Sequence, residues 1–173
     1  MESVPLNLAY LGAVLKNNGF FVRGYNLNVE PFRAADFAQY DLIGVSVVTA
    51  TFPKALKFIA EVKKINPDVF TVVGGPHPTS CPEDCLSHPV VDAVLVQEAE
   101  YPLLNLVRTL SGGQKDLRAV PNLVYRSGGS IIRNPVRPPL TNLDELPFPD
   151  KEIFDTSFYD SNQKAFGDII ASR

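Results

Sequence analysis

The sequence predicts an α/β fold: a parallel sheet with helices on both faces, followed by a β-hairpin and an extended proline-rich linker. Three observations predict it. Short β-branched runs alternate with helical periods from residue 5 to residue 110. The apolar run Val69-Phe70-Thr71-Val72-Val73 stops at a glycine pair, Gly74-Gly75. After Val120 the alternation ends, and prolines crowd the chain from Pro121 to Pro149.

Residues 5–18 read as a helix, with Leu8, Leu11, Val14 and Leu15 at helical spacing and Asn17-Asn18-Gly19 as the stop. Phe20 to Tyr25 reads as a strand, and residues 33–40 as a short helical turn. Leu42-Ile43-Gly44-Val45-Ser46-Val47-Val48 is a continuous apolar run, the pattern of a strand buried on both faces. Residues 52–65 form a helix that Asn66-Pro67 ends. A strand at 69–73, a short helix at 82–87, a strand from Asp92 to Val96 and a helix at 99–110 follow. Asn122–Arg126 and Ser130–Arg133 flank Ser127-Gly128-Gly129 as a hairpin. Asn134 to Pro139 cannot be helical. Leu143-Asp144-Glu145-Leu146-Pro147-Phe148-Pro149 is a linker with apolar anchors. The tail from Phe166 carries one last apolar patch, Ile169-Ile170-Ala171. The division expected is an α/β domain over 1–120 and a hairpin and linker over 121–173.

A chain of 173 residues is one domain, or one domain with an appendage. A net charge of −3 argues against a nucleic-acid groove or an anionic-membrane surface. No apolar run approaches the ~20 residues of a membrane span, and no signal peptide opens the chain. The two cysteines are expected to be reduced thiols, and the cytoplasm is the expected compartment.

In open α/β sheets, ligands sit beyond the carboxyl ends of the strands. The site is therefore sought where Ser46, Gly74, Gly75 and Gln97 end their strands. Gly74-Gly75 strips side chains from that end and lets a ligand approach the backbone. Pro76-His77-Pro78-Thr79 is expected to keep the chain extended and open there. Thr49 and Thr51 offer hydroxyls to a ligand's polar tail, and Thr51 equally reads as a helix cap. Gln97 and Glu98 join the candidates by position, although acids here also suit a first helical turn. Cys81-x3-Cys85-x2-His88 has metal-ligand spacing, but on a helix these residues share one face, where cysteine is commonly a small buried hydrophobe. Zinc would require a fourth ligand, and His77 is the only other histidine. No metal ligand and no catalytic residue is assigned.

Several segments together resemble one family. They are Pro5-Leu6-Asn7-Leu8-Ala9-Tyr10-Leu11-Gly12-Ala13-Val14-Leu15, Asp41-Leu42-Ile43-Gly44-Val45-Ser46 and Val73-Gly74-Gly75-Pro76-His77-Pro78-Thr79, then Val91-Asp92-Ala93-Val94-Leu95-Val96-Gln97-Glu98-Ala99-Glu100 and the Leu143–Pro149 linker. In this order they are similar to the N-terminal cobalamin-binding domain of B12-dependent radical SAM enzymes, especially the group of the anaerobic magnesium-protoporphyrin IX monomethyl ester oxidative cyclase. The resemblance implies a flavodoxin-like (Rossmann-like) fold. It implies cobalamin with its nucleotide tail along Ser46, Thr49, Thr51, Gly74 and Gly75, and with Pro76 and His77 nearby. The corrinoid is expected base-off and His-off, because the Asp-x-His-x-x-Gly motif of other B12 folds is absent. Where the family usually reads Gly-Glu-Gly-Glu, this chain has Gln97-Glu98-Ala99-Glu100.

In that family a Ser-Arg pair leads into Gly-Cys-x3-Cys-x2-Cys, which holds a [4Fe–4S] cluster and S-adenosylmethionine. The chain ends at Ser172-Arg173, so the resemblance implies a fragment that stops one residue before that site. The family's opening strand and proline-rich loop are likewise expected to be missing ahead of Pro5. That predicts a weakened sheet and self-association. The implied partners are the corrinoid and a C-terminal radical SAM domain, with no nucleic acid and no membrane span. The implied chemistry is a corrinoid-dependent oxidation or methyl transfer in tetrapyrrole biosynthesis or a related pathway. A non-catalytic scaffold of the same fold is the alternative, and a flavodoxin-like nucleotide binder is a third. Gly75→Val is expected to abolish corrinoid binding and leave the fold intact.

Overall fold

The structure is a computed structural model that describes residues 4–113 and 116–159. The apolar patch at Ile169-Ile170-Ala171 and the Ser172-Arg173 pair lie outside the described residues. The chain divides into two compact units, Met1–Phe32 with Asn142–Arg173, and Arg33–Thr141.

In the first unit, α1 (Leu6–Asn17) ends where Asn18 turns its amide nitrogen back to the Val14 carbonyl. Ala9 of this helix packs with Ile153 and Phe154 in a small apolar cluster. Phe20–Tyr25 is not the strand expected from its composition. It runs as irregular chain, in which Gly24 N–H donates to the Ile153 carbonyl at 2.9 Å. β-propensity describes a fit to a pleated surface and does not by itself make a strand. Glu30, 4% exposed, pairs with Arg23 at 3.2 Å and accepts from Asn26 N–H at 3.0 Å, so the buried carboxylate is satisfied.

The second unit holds a five-stranded sheet in the order β1-β2-β3-β4-β5. A short α2 (Ala34–Phe37) precedes β1 (Leu42–Ser46). α3 (Phe52–Ile65) crosses to β2 (Phe70–Gly74), which lies parallel to β1 with Leu42 opposite Phe70 and Ser46 opposite Gly74. Proline stands at the start of α3, where its missing N–H costs nothing, and Phe52, Ala55, Phe58, Ile59 and Val62 form its buried stripe. α4 (Pro76–Ser80) and α5 (Pro82–Ser87) lead to β3 (Ala93–Leu95), parallel to β2. α6 (Glu100–Ser111) follows.

The hairpin does not stand apart from the sheet. β4 (Leu123–Ser127) pairs antiparallel with β3, and β5 (Ser130–Arg133) pairs with β4, so the parallel sheet becomes a mixed one. Gly128 (φ 57°) and Gly129 (φ 80°) both take the left-handed conformation that a tight two-residue hairpin turn requires. The core runs through Val72, Val73, Val94, Leu106, Leu123 and Val124, each 3% exposed or less. β1 departs from its expected burial on both faces. Ile43 is buried, but Gly44 and Ser46 are exposed, and β1 is the terminal strand of the sheet. An unbroken apolar run records what a strand can bury, and here only one neighbouring strand covers it.

Candidate functional site

The site lies at the carboxyl ends of β1, β2 and β3. The parallel register brings Ser46 opposite Gly74, so these two candidates end adjacent strands. Gly74 is half-buried and uncrowded: a Cβ there would meet Leu95 O at 3.5 Å, an ordinary contact. Gly75 has a different reason to be glycine. Its φ of 105° is closed to other residues, and a Cβ would lie 2.8 Å from Val47 O and 3.1 Å from Val47 N. The surface over Gly75 is thus the backbone after β1, not open space. The expectation that Gly75→Val would fill a ligand space and spare the fold is overturned by that clash.

Pro76 to Thr79 is not extended either. Pro76 opens α4, its fixed φ preset for a first helical turn, and Ser80 Oγ donates to Pro76 O at 3.0 Å. The helix turns His77 inward, to 8% exposure. Its Nδ1 lies 3.3 Å from Thr49 Oγ1, and its ring stacks at a tilt on Phe52, 4.6 Å between centroids. Nε2 comes within 3.3 Å of Asp84 Oδ2 but outside hydrogen-bond geometry, so this buried nitrogen has no hydrogen-bonded partner. Burying a polar atom in that state is costly.

Thr51 occupies the position ahead of α3 without capping it. Its hydroxyl donates to Val48 O and accepts from Val48 N–H, both at 3.1 Å, and holds the 48–51 turn closed. Thr49, Thr51, Ser46 and Pro76 are exposed. Gln97 and Glu98 follow β3, apart from the threonines. Gln97 is exposed and held at φ 60°, a left-handed backbone that costs a residue with a Cβ about 1 kcal/mol. Its N–H donates to Thr79 Oγ1 at 2.9 Å, which ties the end of β3 to α4. Glu98 is half-buried, and its carboxylate accepts from Leu140 N–H at 3.4 Å.

The structure therefore brings Ser46, Thr49, Thr51, Gly74, Gly75, Pro76 and His77 into one strip and sets Gln97 and Glu98 at its β3 end. Exposed hydroxyls beside an uncrowded glycine can hydrogen-bond a polar, phosphate-bearing tail while apolar rings lie against the strand ends. The residues present thus fit the corrinoid that the sequence implied.

Two residues at this end escaped the site reading. Thr79 was visible in the Gly-Gly-Pro-His-Pro-Thr run, but its partner is 18 positions away. Asn122, 2% exposed with φ 61°, was seen only as the start of a strand. The signal for it is residue type: asparagine is the side chain that most readily takes a left-handed backbone.

Cys81 is exposed and Cys85 is fully buried on α5, its thiol pushed up to about 11 by burial first and by Asp84 and Cys81 next. Cys85 is a core residue, as its helical spacing suggested. Among the described residues no helix is long and apolar enough to cross a membrane.

The family described as the B12 binding domain matches residues 1–107. An uncharacterized methyltransferase of Pyrococcus horikoshii is 31% identical over 98% of this chain and 38% of its own length. The anaerobic magnesium-protoporphyrin IX monomethyl ester cyclase of Rubrivivax gelatinosus is 29% identical over 82% of this chain and 28% of its own. The chain thus spans less than two-fifths of these relatives. Among solved structures, the cobalamin-dependent S-adenosylmethionine radical enzyme OxsB, with aqua-cobalamin and S-adenosylmethionine bound, superposes with a TM-score of 0.74 at 22% identity, over 88% of this chain and 22% of that one. The fold is shared, and the family match over more than half of the chain makes this protein a member of the B12-binding domain family.

Proposed function

We propose that this chain is the corrinoid-holding part of a B12-dependent radical SAM enzyme, a methyltransferase or an oxidative cyclase. The carrying observation is the family match across residues 1–107, which spans every candidate at the ends of β1, β2 and β3. Residues 1–120 form the cobalamin-binding part, and 121–173 lead to a C-terminal radical SAM domain that carries the [4Fe–4S] cluster and S-adenosylmethionine. Ser46, Thr49 and Thr51 hydrogen-bond the nucleotide tail, which passes over Gly74. Gln97 and Glu98 border the corrin. Bound cobalamin supplies a cobalt centre for alkyl transfer or one-electron chemistry. The protein's part is to hold that centre and keep its own imidazoles away from it. His77 is buried under Phe52, and His88 packs edge-on against the same ring at 5.7 Å. A corrinoid held here would take no protein imidazole and is proposed to be base-off as well; the proposed compartment is the cytoplasm, and β1 offers an edge for self-association.

The test is uptake of hydroxocobalamin by the purified chain, read as retained corrinoid absorbance after gel filtration. Stoichiometric retention is expected. No retention by a folded chain overturns the proposal and leaves the scaffold reading. In the Co(II) form, the EPR spectrum is expected to lack nitrogen superhyperfine splitting. Splitting that disappears in His77→Ala would refute the His-off assignment. Sedimentation over a range of concentrations tests self-association.

A further inference from the structure

Asn122 uses every polar group it has at one junction. Its side-chain amide donates to Val96 O at 3.1 Å and to Glu98 O at 3.0 Å, and its Oδ1 accepts from Arg137 N–H at 2.7 Å. Its backbone carbonyl accepts from Val96 N–H at 3.0 Å, and its own N–H donates to Pro135 O at 3.1 Å. On one side lies the loop after β3, which carries Gln97 and Glu98. On the other lies the extended stretch 135–140. Two further contacts bind that stretch to the loop and to α6: Leu140 N–H on the Glu98 carboxylate, and the Arg137 guanidinium 4.7 Å over the Tyr101 ring. A left-handed φ at a 2%-exposed residue is a strained state that persists where its surroundings over-determine it. Such strain with full hydrogen bonding is the mark of a position built for what it joins.

We propose that Asn122 is a positioning residue: it sets the backbone of Gln97 and Glu98 at the cofactor end of β3 and ties that loop to the 135–140 strap. The assignment rests on the cofactor reading above for what the loop faces. Asn122 touches no ligand. It acts through Gln97, whose strained backbone is held from one side by Thr79 and from the other through the Glu98 and Val96 carbonyls. The strap and the cofactor loop therefore move as one piece, and a displacement of residues 135–140 reaches the strand end.

Two variants test this, and both accept a left-handed backbone. Asn122→Asp keeps the acceptor for Arg137 N–H but turns a carboxylate on the Val96 and Glu98 carbonyls. Asn122→Gly relaxes the backbone and removes all three side-chain bonds. Amide hydrogen exchange is read at Gln97 and Leu140, neither of which is bonded to the Asn122 side chain, with Thr71 and Asp92 at the far end of the sheet as references. In both variants Gln97 and Leu140 are expected to exchange faster together while Thr71 and Asp92 hold. Hydroxocobalamin binding is expected to weaken about tenfold, the scale of losing one or two hydrogen bonds. Unchanged exchange at Gln97, faster exchange at Gln97 without Leu140, or faster exchange with undiminished affinity overturns the inference. A merely structural Asn122 would instead accelerate all four amides alike. If wild-type chain takes up no hydroxocobalamin, the cofactor reading falls, and exchange at Gln97 and Leu140 still decides whether Asn122 couples loop to strap.

Discussion

The two ends of the β1–β3 sheet are built in opposite ways. At the amino end, the Asp92 carboxylate collects the Lys63 ammonium at 2.8 Å, Thr71 N–H at 2.8 Å and the Thr71 hydroxyl at 2.9 Å, while Lys63 also donates to Val69 O. Thr71 is wholly buried there. Lys63 and Thr71 thus have acceptors there, and the ammonium is matched by the carboxylate. At the carboxyl end, hydroxyls are exposed, a glycine stands uncovered, Gln97 keeps a left-handed backbone, and His77 Nε2 is buried without a hydrogen bond. Polar satisfaction at one end stabilises the fold, and the other end carries the strain and the orphaned buried nitrogen.

The comparison breaks most readily at Gly75. Gly75→Val places a branched side chain against the Val47 backbone at a φ of 105°, so a loss of about 3 kcal/mol of stability is expected. Chemical denaturation measures it. Gly74→Ala, whose Cβ meets only Leu95 O at 3.5 Å, is expected to melt near wild type and to bind hydroxocobalamin more weakly. Equal stability for the two variants would show that the glycines share one role. At the other end, Asp92→Ala removes the charge partner of Lys63, which keeps Val69 O, and the side-chain acceptor of the buried Thr71 N–H, while the Thr71 hydroxyl keeps Val90 O. The expected loss is about 2 kcal/mol, discounted because Lys63 and Asp92 are partly exposed, with hydroxocobalamin affinity unchanged. A fall in affinity at constant stability would mean that the two ends are not separate.

Much of the sheet could be read directly from residues. The helix at 52–65 was bounded by its own stripe and by Asn66-Pro67, and the strands ending in Ser46 and Gly74 by β-branched runs. What local pattern could not supply was partnership. Phe20–Tyr25 has strand composition and runs as irregular chain among the described residues. The hairpin after Val120 was visible, but its docking onto β3 depends on pairing across some thirty residues. The candidate site could be read as a line of strand ends, because open α/β sheets take ligands there. Its interior was not. The inward turn of His77, the clash above Gly75 and the bridge through Asn122 arise from side chains distant in sequence meeting in space.

A smaller effect is expected from Gln97→Gly. Removing the Cβ relieves the left-handed strain, while the freer unfolded chain offsets most of the gain, for a net stabilisation of about 0.5 kcal/mol. Thermal melting reads the stability. If the side chain borders the corrin, hydroxocobalamin affinity falls even as stability rises, the trade expected of the receptive end and not of the closed one.

An effect confined to alkaline pH, and absent at neutrality, belongs to Cys85, on the helix α5 that packs against β3 and β4. Burial raises its thiol from 9.0 in the unfolded chain to about 11 when folded. The folded protein thus keeps a proton that the unfolded chain gives up. This contribution to stability is complete below pH 9 and is lost as pH rises through 11. Wild type is expected to lose stability more steeply than Cys85→Ala between those values, as read by urea midpoints at successive pH. Iodoacetamide at pH 8 should alkylate the exposed Cys81 and spare Cys85, since the thiolate is the reactive form. Modification of both thiols at equal rates, with the fold intact, would place α5 with the open end of the sheet and not with its core.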